Sequence, residues 1–300
     1  MFSIHRTLRS AVRFSSRRRV SFSTSQEPTS IIDIESFQTE LSNHALSITK
    51  SLIDHGYYST PSPFSILPQE VIRQMREQSI ILQDNGRLEQ SWSEKIDSVG
   101  NVTKFYKEGV FACEPDGKDY YEAPDLVTYM SVLLQTLPEL LNQSCDKEES
   151  IEPFGLSVTS FNAKLAVTSA GGSVYPLHID NPQGIEVGDT RKLTCILYLN
   201  PDYKQEDAGE LRIFRDEAEE NAEDCFVDIK PDGGRMVLFW SDEIPHQVLP
   251  TGPHAGESHS SRDRWALTLW IPTTNLQFIH NQKSKFSSLG DKSFQSNTPI

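Results

Sequence analysis

Cysteine is scarce in this 300-residue chain, and the four present (Cys113, Cys145, Cys195 and Cys225) show neither C-x-x-C nor zinc-finger spacing. That scatter excludes a disulfide framework and a structural zinc site, and leaves the thiols as reduced core side chains. Long apolar runs are also missing: no stretch reaches the 18 or so residues that a membrane-spanning helix needs. Acidic residues are absent from the first 26 positions, which hold six arginines and abundant serine. Elsewhere acids dominate. Without those six arginines the 28 basic residues fall to 22 against 42 acids, a net charge near −20. A body that acidic repels phosphate backbones, so nucleic acid is not an expected partner, and no membrane association is expected either.

The arginine-rich start, "MFSIHRTLRSAVRFSSRRRVSFSTSQ", interleaves Phe2, Ile4, Leu8, Val12 and Phe14 with its charges roughly as an amphipathic helix does. This composition is that of an organelle transit peptide, with a disordered basic segment as the alternative. Mitochondrial import is the expectation; a plastid or cytoplasmic location is the runner-up. Hydrophobic residues make up 37% and charged residues 23%, enough for one sizeable globular core.

Three amphipathic helices are legible before residue 150. Ile34, Phe37, Leu41, Ala45, Ile48 and Leu52 recur at helical spacing between a capping Asp33 and Gly56. Pro68 opens a second helix in which Val71, Met75 and Leu82 share a side. The third spans Leu126 to Leu141, with Pro138 expected to break or kink it. Beyond residue 155 the period changes from 3.6 to 2. Eight short runs follow ("FNAKLAVTSA", "VYPLHID", "RKLTCILYLN", "ELRIFR", "CFVDIK", "RMVLFW", "HQVLP" and "RWALTLWIP"), and predict an all-β jelly roll. The resulting organisation is 1–26 transit or basic segment, 27–150 helical support, 151–272 jelly-roll domain and 273–300 a polar tail.

Chemistry concentrates on these strands. Period two puts His178 and Asp180 of "YPLHIDNPQG" on one face, and an imidazole with a carboxylate supplies two of the three ligands of a non-haem iron centre. His246 lies on the seventh run, which jelly-roll winding lays beside the second. In "DRWALTLWIP", Arg264, Ala266, Thr268 and Trp270 share a face, carrying a guanidinium into a core. Such a group needs an anion with two oxygens. Thr194, Ile196 and Tyr198 share a face of "RKLTCILYLN", and the Tyr198 phenol can donate to that same anion. No acid of the chain is an obvious partner. A dicarboxylate from outside would satisfy both groups while its other end reached a metal.

In order, "HIDNPQG", "RKLTCILYLN", "GELRIF", "LFWSDEIPHQV" and "RWALTLW" resemble the iron(II)- and 2-oxoglutarate-dependent dioxygenases, within them the prolyl 4-hydroxylases and especially the hypoxia-factor branch. The resemblance covers about residues 160 to 272. It implies a double-stranded β-helix with His178, Asp180 and His246 as the catalytic iron ligands and Arg264 and Tyr198 as the oxoglutarate clamp. Thr194, Leu211, Thr268 and Trp270 would be walls of the co-substrate pocket. It further implies Fe(2+), 2-oxoglutarate and O2 as cofactors, ascorbate as reductant, and hydroxylation of proline in a protein or peptide, with succinate and carbon dioxide as co-products. One position departs: Thr168 stands where that branch has a tyrosine against the metal-end carboxylate of oxoglutarate. Competing readings are an oxygenase acting on another residue or a small molecule, a metal-free binding module on the same barrel, and a zinc hydrolase.

Overall fold

In the computed structural model the described residues are 28–62, 65–96, 102–145, 154–171, 173–214, 226–252 and 262–280. The transit-like segment, the acidic run at 216–224, Cys225 and the tail from 281 onward lie outside them.

Three helices are present: α1 (Ile34–His55), α2 (Gln69–Asp84) and α3 (Pro124–Cys145). α1 starts where the Asp33 carboxylate accepts from the Ser36 N–H at 3.1 Å, and stops at Gly56, whose positive φ of 75° suits glycine. Its buried stripe is Phe37, Leu41, Ala45, Ile48 and Leu52, as read from the spacing, except that Ile34, in the first turn, is exposed. α3 runs through Pro138 without the expected break. A mid-helix proline costs about 3 kcal/mol. Against it stand Leu126, Leu133, Leu137 and Leu141, all fully buried, at roughly 1.5 to 3 kcal/mol each, so packing overrides the local preference.

The strands are β1 (Tyr57–Ser59), β2 (Glu89–Ile96), β3 (Val102–Cys113), β4 (Asn162–Thr168), β5 (Tyr175–His178), β6 (Arg191–Tyr198), β7 (Leu211–Phe214), β8 (Phe226–Ile229), β9 (Met236–Trp240), β10 (His246–Val248) and β11 (Arg264–Pro272). They form a seven-stranded sheet in the order β1-β9-β6-β11-β4-β3-β2 and a four-stranded sheet in the order β5-β10-β7-β8, a jelly roll. All eight strands expected after residue 155 are present. β1 to β3 are additional: the region read as purely helical also supplies three strands of the larger sheet. The β2–β3 hairpin carried little signal, because neither "EQSWSEKI" nor "VTKFYKEGVFAC" alternates apolar and polar residues.

The larger sheet sorts its side chains by parity. On β11, Trp265, Leu267, Leu269 and Ile271 are fully buried on the core face, and Arg264, Ala266, Thr268 and Trp270 take the other. The helices cover the core face. Phe37 of α1 stacks on Tyr129 of α3 at 5.5 Å, and the Trp240 indole N–H donates to Leu52 O at 2.9 Å.

Residues 273–280 are held closely rather than loosely wrapped. Thr273 Oγ1 donates to Phe154 O, Phe278 packs on Phe154 and Trp240, and the His280 N–H donates to Asp242. Beneath them Lys192 is fully buried, its Nζ 2.9 Å from Asp242 and 2.5 Å from Glu243. Lys192→Met leaves a buried, uncompensated Asp242, so urea unfolding is expected to register a loss of about 3 to 5 kcal/mol. Adding Asp242→Asn should recover part of it.

Candidate active site

β5 and β10 are antiparallel neighbours with His178 directly opposite His246, and their ring centroids lie 4.2 Å apart. β5 ends at His178, and the chain bends so that Asp180 faces both rings: its Oδ1 is 3.4 Å from His178 Nε2 and 3.8 Å from His246 Nε2. Ligating atoms of the three residues all lie within 4.8 Å of one another.

The surroundings decide which atoms are free. His178 Nδ1 is 2.8 Å from Pro176 O, and His246 Nδ1 is 3.0 Å from Ile244 O. A carbonyl only accepts, so each Nδ1 carries the proton and each Nε2 keeps its lone pair toward Asp180. Asp180 Oδ2 accepts from Thr194 Oγ1 and from the Trp270 indole N–H, both at 2.8 Å. Its Oδ1 is left to the histidines. Two Nε2 atoms and one carboxylate oxygen converging in this way fit the donor set of a non-haem iron site.

Electrostatics agree with that division. Burial works against the Asp180 charge, while protonated His178 and His246 rings and the Trp270 N–H pull the carboxyl well below the usual carboxylate range; with both rings neutral, a cation seated at the same atoms would take over that pull. Burial, then His178, lowers His246 to about 4, which keeps its imidazole neutral and able to ligate near pH 7.

Thr194 and Trp270, which the resemblance assigns to pocket walls, therefore also hold Asp180. Ser241 was missed from sequence; its Oγ lies 2.7 Å from Thr194 Oγ1, and it directly follows the buried strand β9. Thr194→Val and Trp270→Phe each remove one donor to Asp180 Oδ2, so each is expected to weaken Mn(II) binding by about 10- to 100-fold in a calorimetric titration.

Arg264 is buried on the same face of the larger sheet. Its Nε donates to Gly209 O at 2.8 Å, its Nη2 to the Tyr198 hydroxyl at 3.2 Å, and its guanidinium lies 4.9 Å from the Tyr198 ring centroid. Among the described residues no carboxylate lies within ion-pair distance of it. Burial raises the Tyr198 hydroxyl above its ordinary range, so it keeps a proton to donate. Gly209 makes this packing possible: at φ 74° a Cβ there would sit 3.1 Å from Arg264 Cδ. Arg262, two residues earlier, instead reaches Asp207 at 3.4 Å and Glu206 at 3.5 Å.

The remaining wall residues are less polar. Leu211 is fully buried on β7 opposite Val248, and Thr268 lies on β11 between Ile196 and Lys164 in register. Thr168 is paired across from Arg264. Asn181 donates to Asp189 O and Arg191 O and accepts from the Gly184 N–H, tying down the connection after Asp180. A second convergence, Asp242, Glu243 and His280, already contains the Lys192 ammonium, which fills the role a cation would take.

Residues 163–272 match the profile of the 2OG-Fe(II) oxygenase superfamily. Egl nine homolog 1 of Homo sapiens is 33% identical over 143 residues, which is 47% of this chain but only 28% of that protein; the chain thus spans little more than a quarter of that relative. Two solved structures share the fold. A prolyl hydroxylase from Trichoplax adhaerens, in complex with a hypoxia inducible factor oxygen degradation domain peptide fragment, aligns with a TM-score of 0.58 at 22% identity, covering 80% of this chain and 93% of that one. A Pseudomonas putida prolyl-4-hydroxylase aligns with a TM-score of 0.56 at 23% identity, covering 77% and 100%.

Proposed function

We propose, from residues 163–272 being a 2OG-Fe(II) oxygenase domain homologous to the Egl nine prolyl hydroxylases, that the chain is a 2-oxoglutarate-dependent dioxygenase hydroxylating a peptidyl proline, of the procollagen- or peptidyl-proline 4-dioxygenase type. The observation that carries the reading is a two-histidine, one-carboxylate cluster with a buried Arg264–Tyr198 pair that no carboxylate of the described residues satisfies.

In this reading His178, Asp180 and His246 would hold Fe(2+). Bound iron would supply dioxygen activation coupled to decarboxylation of 2-oxoglutarate into succinate and carbon dioxide, with ascorbate as reductant. The chain's own part is positional. Arg264 and Tyr198 grip the distal carboxylate with charge-assisted hydrogen bonds, Thr194 and Trp270 aim Asp180, and the buried Leu211 with the half-buried Thr268 limits water. A zinc hydrolase would have no use for the Arg264–Tyr198 pair. A metal-free module would have no need of two fixed imidazole tautomers.

The test is peptide-resolved mass spectrometry of organelle extract incubated with enzyme, iron and 2-oxoglutarate. A gain of one oxygen on proline is expected. Oxygen gained only on another residue type would move the reading to a related oxygenase, and iron-free protein after chelator-free purification would favour the binding module.

Residues 1–26 are proposed to direct the chain to mitochondria, with 27–150 supporting the catalytic 151–272. Fused to a fluorescent protein, residues 1 to 40 are expected to give mitochondrial signal; a uniform cytosolic signal would end that assignment, and a plastid signal would replace it.

A further inference from the structure

Two lysines stand beside the iron-binding cluster and play no part in the reading above. Lys107 of β3 places its Nζ 3.4 Å from the Tyr175 ring centroid, and Lys164 of β4 places its own at 5.8 Å. The Tyr175 ring in turn packs on His178, with centroids 4.7 Å apart. Both lysines are partly buried, and among the described residues neither has a carboxylate within ion-pair distance. The Tyr175 hydroxyl has no hydrogen-bond partner among them either.

Nearby acids do not discharge the pair. Asp180 acts on both lysines from beyond ion-pair distance, and its oxygens already serve Thr194, Trp270 and the histidines. Glu114 acts on Lys164 but is exposed. Burial and then the Lys164 charge push Lys107 down to about 7, so the second ammonium is fully charged near neutral pH only when an anion joins it. Two cations and a phenol O–H crowded together without an anion form an incomplete polar cluster.

Register and sheet order together set this cluster off from the Arg264–Tyr198 clamp: Arg264 is paired with Thr168 of β4, whereas Lys164 is paired with Thr268, four residues further along β11. Tyr198 lies on β6, to one side of β11, while Lys164 and Lys107 lie on β4 and β3, to the other. In the proposed reaction both carboxylates of 2-oxoglutarate are engaged, one at Arg264 and Tyr198 and one at the metal. With both of those taken, the carboxylate that would complete this cluster comes with the substrate.

We propose that Lys107, Lys164 and Tyr175 form a carboxylate-binding subsite beside His178 that selects substrates carrying an acidic side chain next to the oxidised residue. The inference rests on the oxygenase reading. It assigns substrate selectivity to residues that the reading above leaves without a role.

The test uses protein loaded with Mn(II) and N-oxalylglycine, with labelled Gly/Ser host peptides containing one proline and a glutamate at successive neighbouring positions, or glutamine in its place. Fluorescence anisotropy should give at least about tenfold tighter binding for the best glutamate peptide than for its glutamine twin, the scale of one charge-assisted contact. In Lys107→Met/Lys164→Met the ratio should fall below about twofold, and Tyr175→Phe should lower it in part, with metal content and circular dichroism unchanged. Equal affinities for the two series in the unaltered protein, including no binding to either, would overturn the proposal, as would a ratio that survives in the double variant. If the double variant instead weakens 2-oxoglutarate binding and leaves the peptide ratio intact, the subsite serves the metal-end carboxylate of the co-substrate and the substrate assignment is wrong. Unaltered protein that binds no 2-oxoglutarate would sink the oxygenase reading itself, a separate outcome.

Discussion

His246→Ala is expected to reduce 2-oxoglutarate decarboxylation by at least about a thousandfold, because the metal's several kcal/mol of charge stabilisation disappears with it and each 1.36 kcal/mol is worth tenfold. Of the proposed ligands His246 is the most enclosed, packed against Phe239 at 4.5 Å and His178 at 4.2 Å with its Nδ1–H fixed on Ile244 O. The truncation leaves a small cavity costing about 2 to 4 kcal/mol. Thermal melts of the metal-free proteins therefore accompany the assay, to separate lost chemistry from lost fold. Iron content should fall with activity; full iron content and undiminished turnover would remove His246 from the ligand set.

The second large effect concerns the anion clamp. Arg264→Ala should weaken 2-oxoglutarate binding by about 30- to 1,000-fold, since a buried, charge-assisted contact to a carboxylate is worth roughly 2 to 4 kcal/mol. Arg264→Lys should keep part of the affinity, because an ammonium cannot reproduce the planar fork that lets Nε hold Gly209 O while Nη2 holds Tyr198. Arg262→Ala loses ion pairs to Asp207 and Glu206, the latter exposed, rather than a contact in the clamp, and should change affinity little. Anaerobic 2-oxoglutarate titrations of the three variants compare them directly, and a larger loss for Arg262→Ala than for Arg264→Ala would reverse the assignment.

Much of the arrangement behind these expectations could be read without coordinates, for physical reasons. Strand parity is strict, so the common face of Arg264, Thr268 and Trp270 followed from spacing, and so did the helical stripe from Phe37 to Leu52. What escaped notice depends on contacts distant in sequence. Nothing local marks Trp270 as a donor to Asp180, 90 residues earlier, or Ser241 as the partner of Thr194. Lys107 sits in a hairpin that a reading of the region as helical passed over, so its approach to Tyr175 was invisible until β3 was joined to β4. Pro138 shows the opposite failure: a sound local rule lost to four buried leucines.

The division of labour around Asp180 has a thermodynamic side. The proposed ligands ride on the smaller sheet and the bend after β5, whereas Thr194 and Trp270, which steady Asp180, belong to the larger one. An ion seated there acts as a rivet through both layers of the sandwich. By mass action, occupancy at a hundred times the dissociation constant adds about 2.7 kcal/mol to stability. That gain falls where the layers would otherwise part, so amide protons of β5 and β10 should be the ones whose exchange slows when the ion is seated.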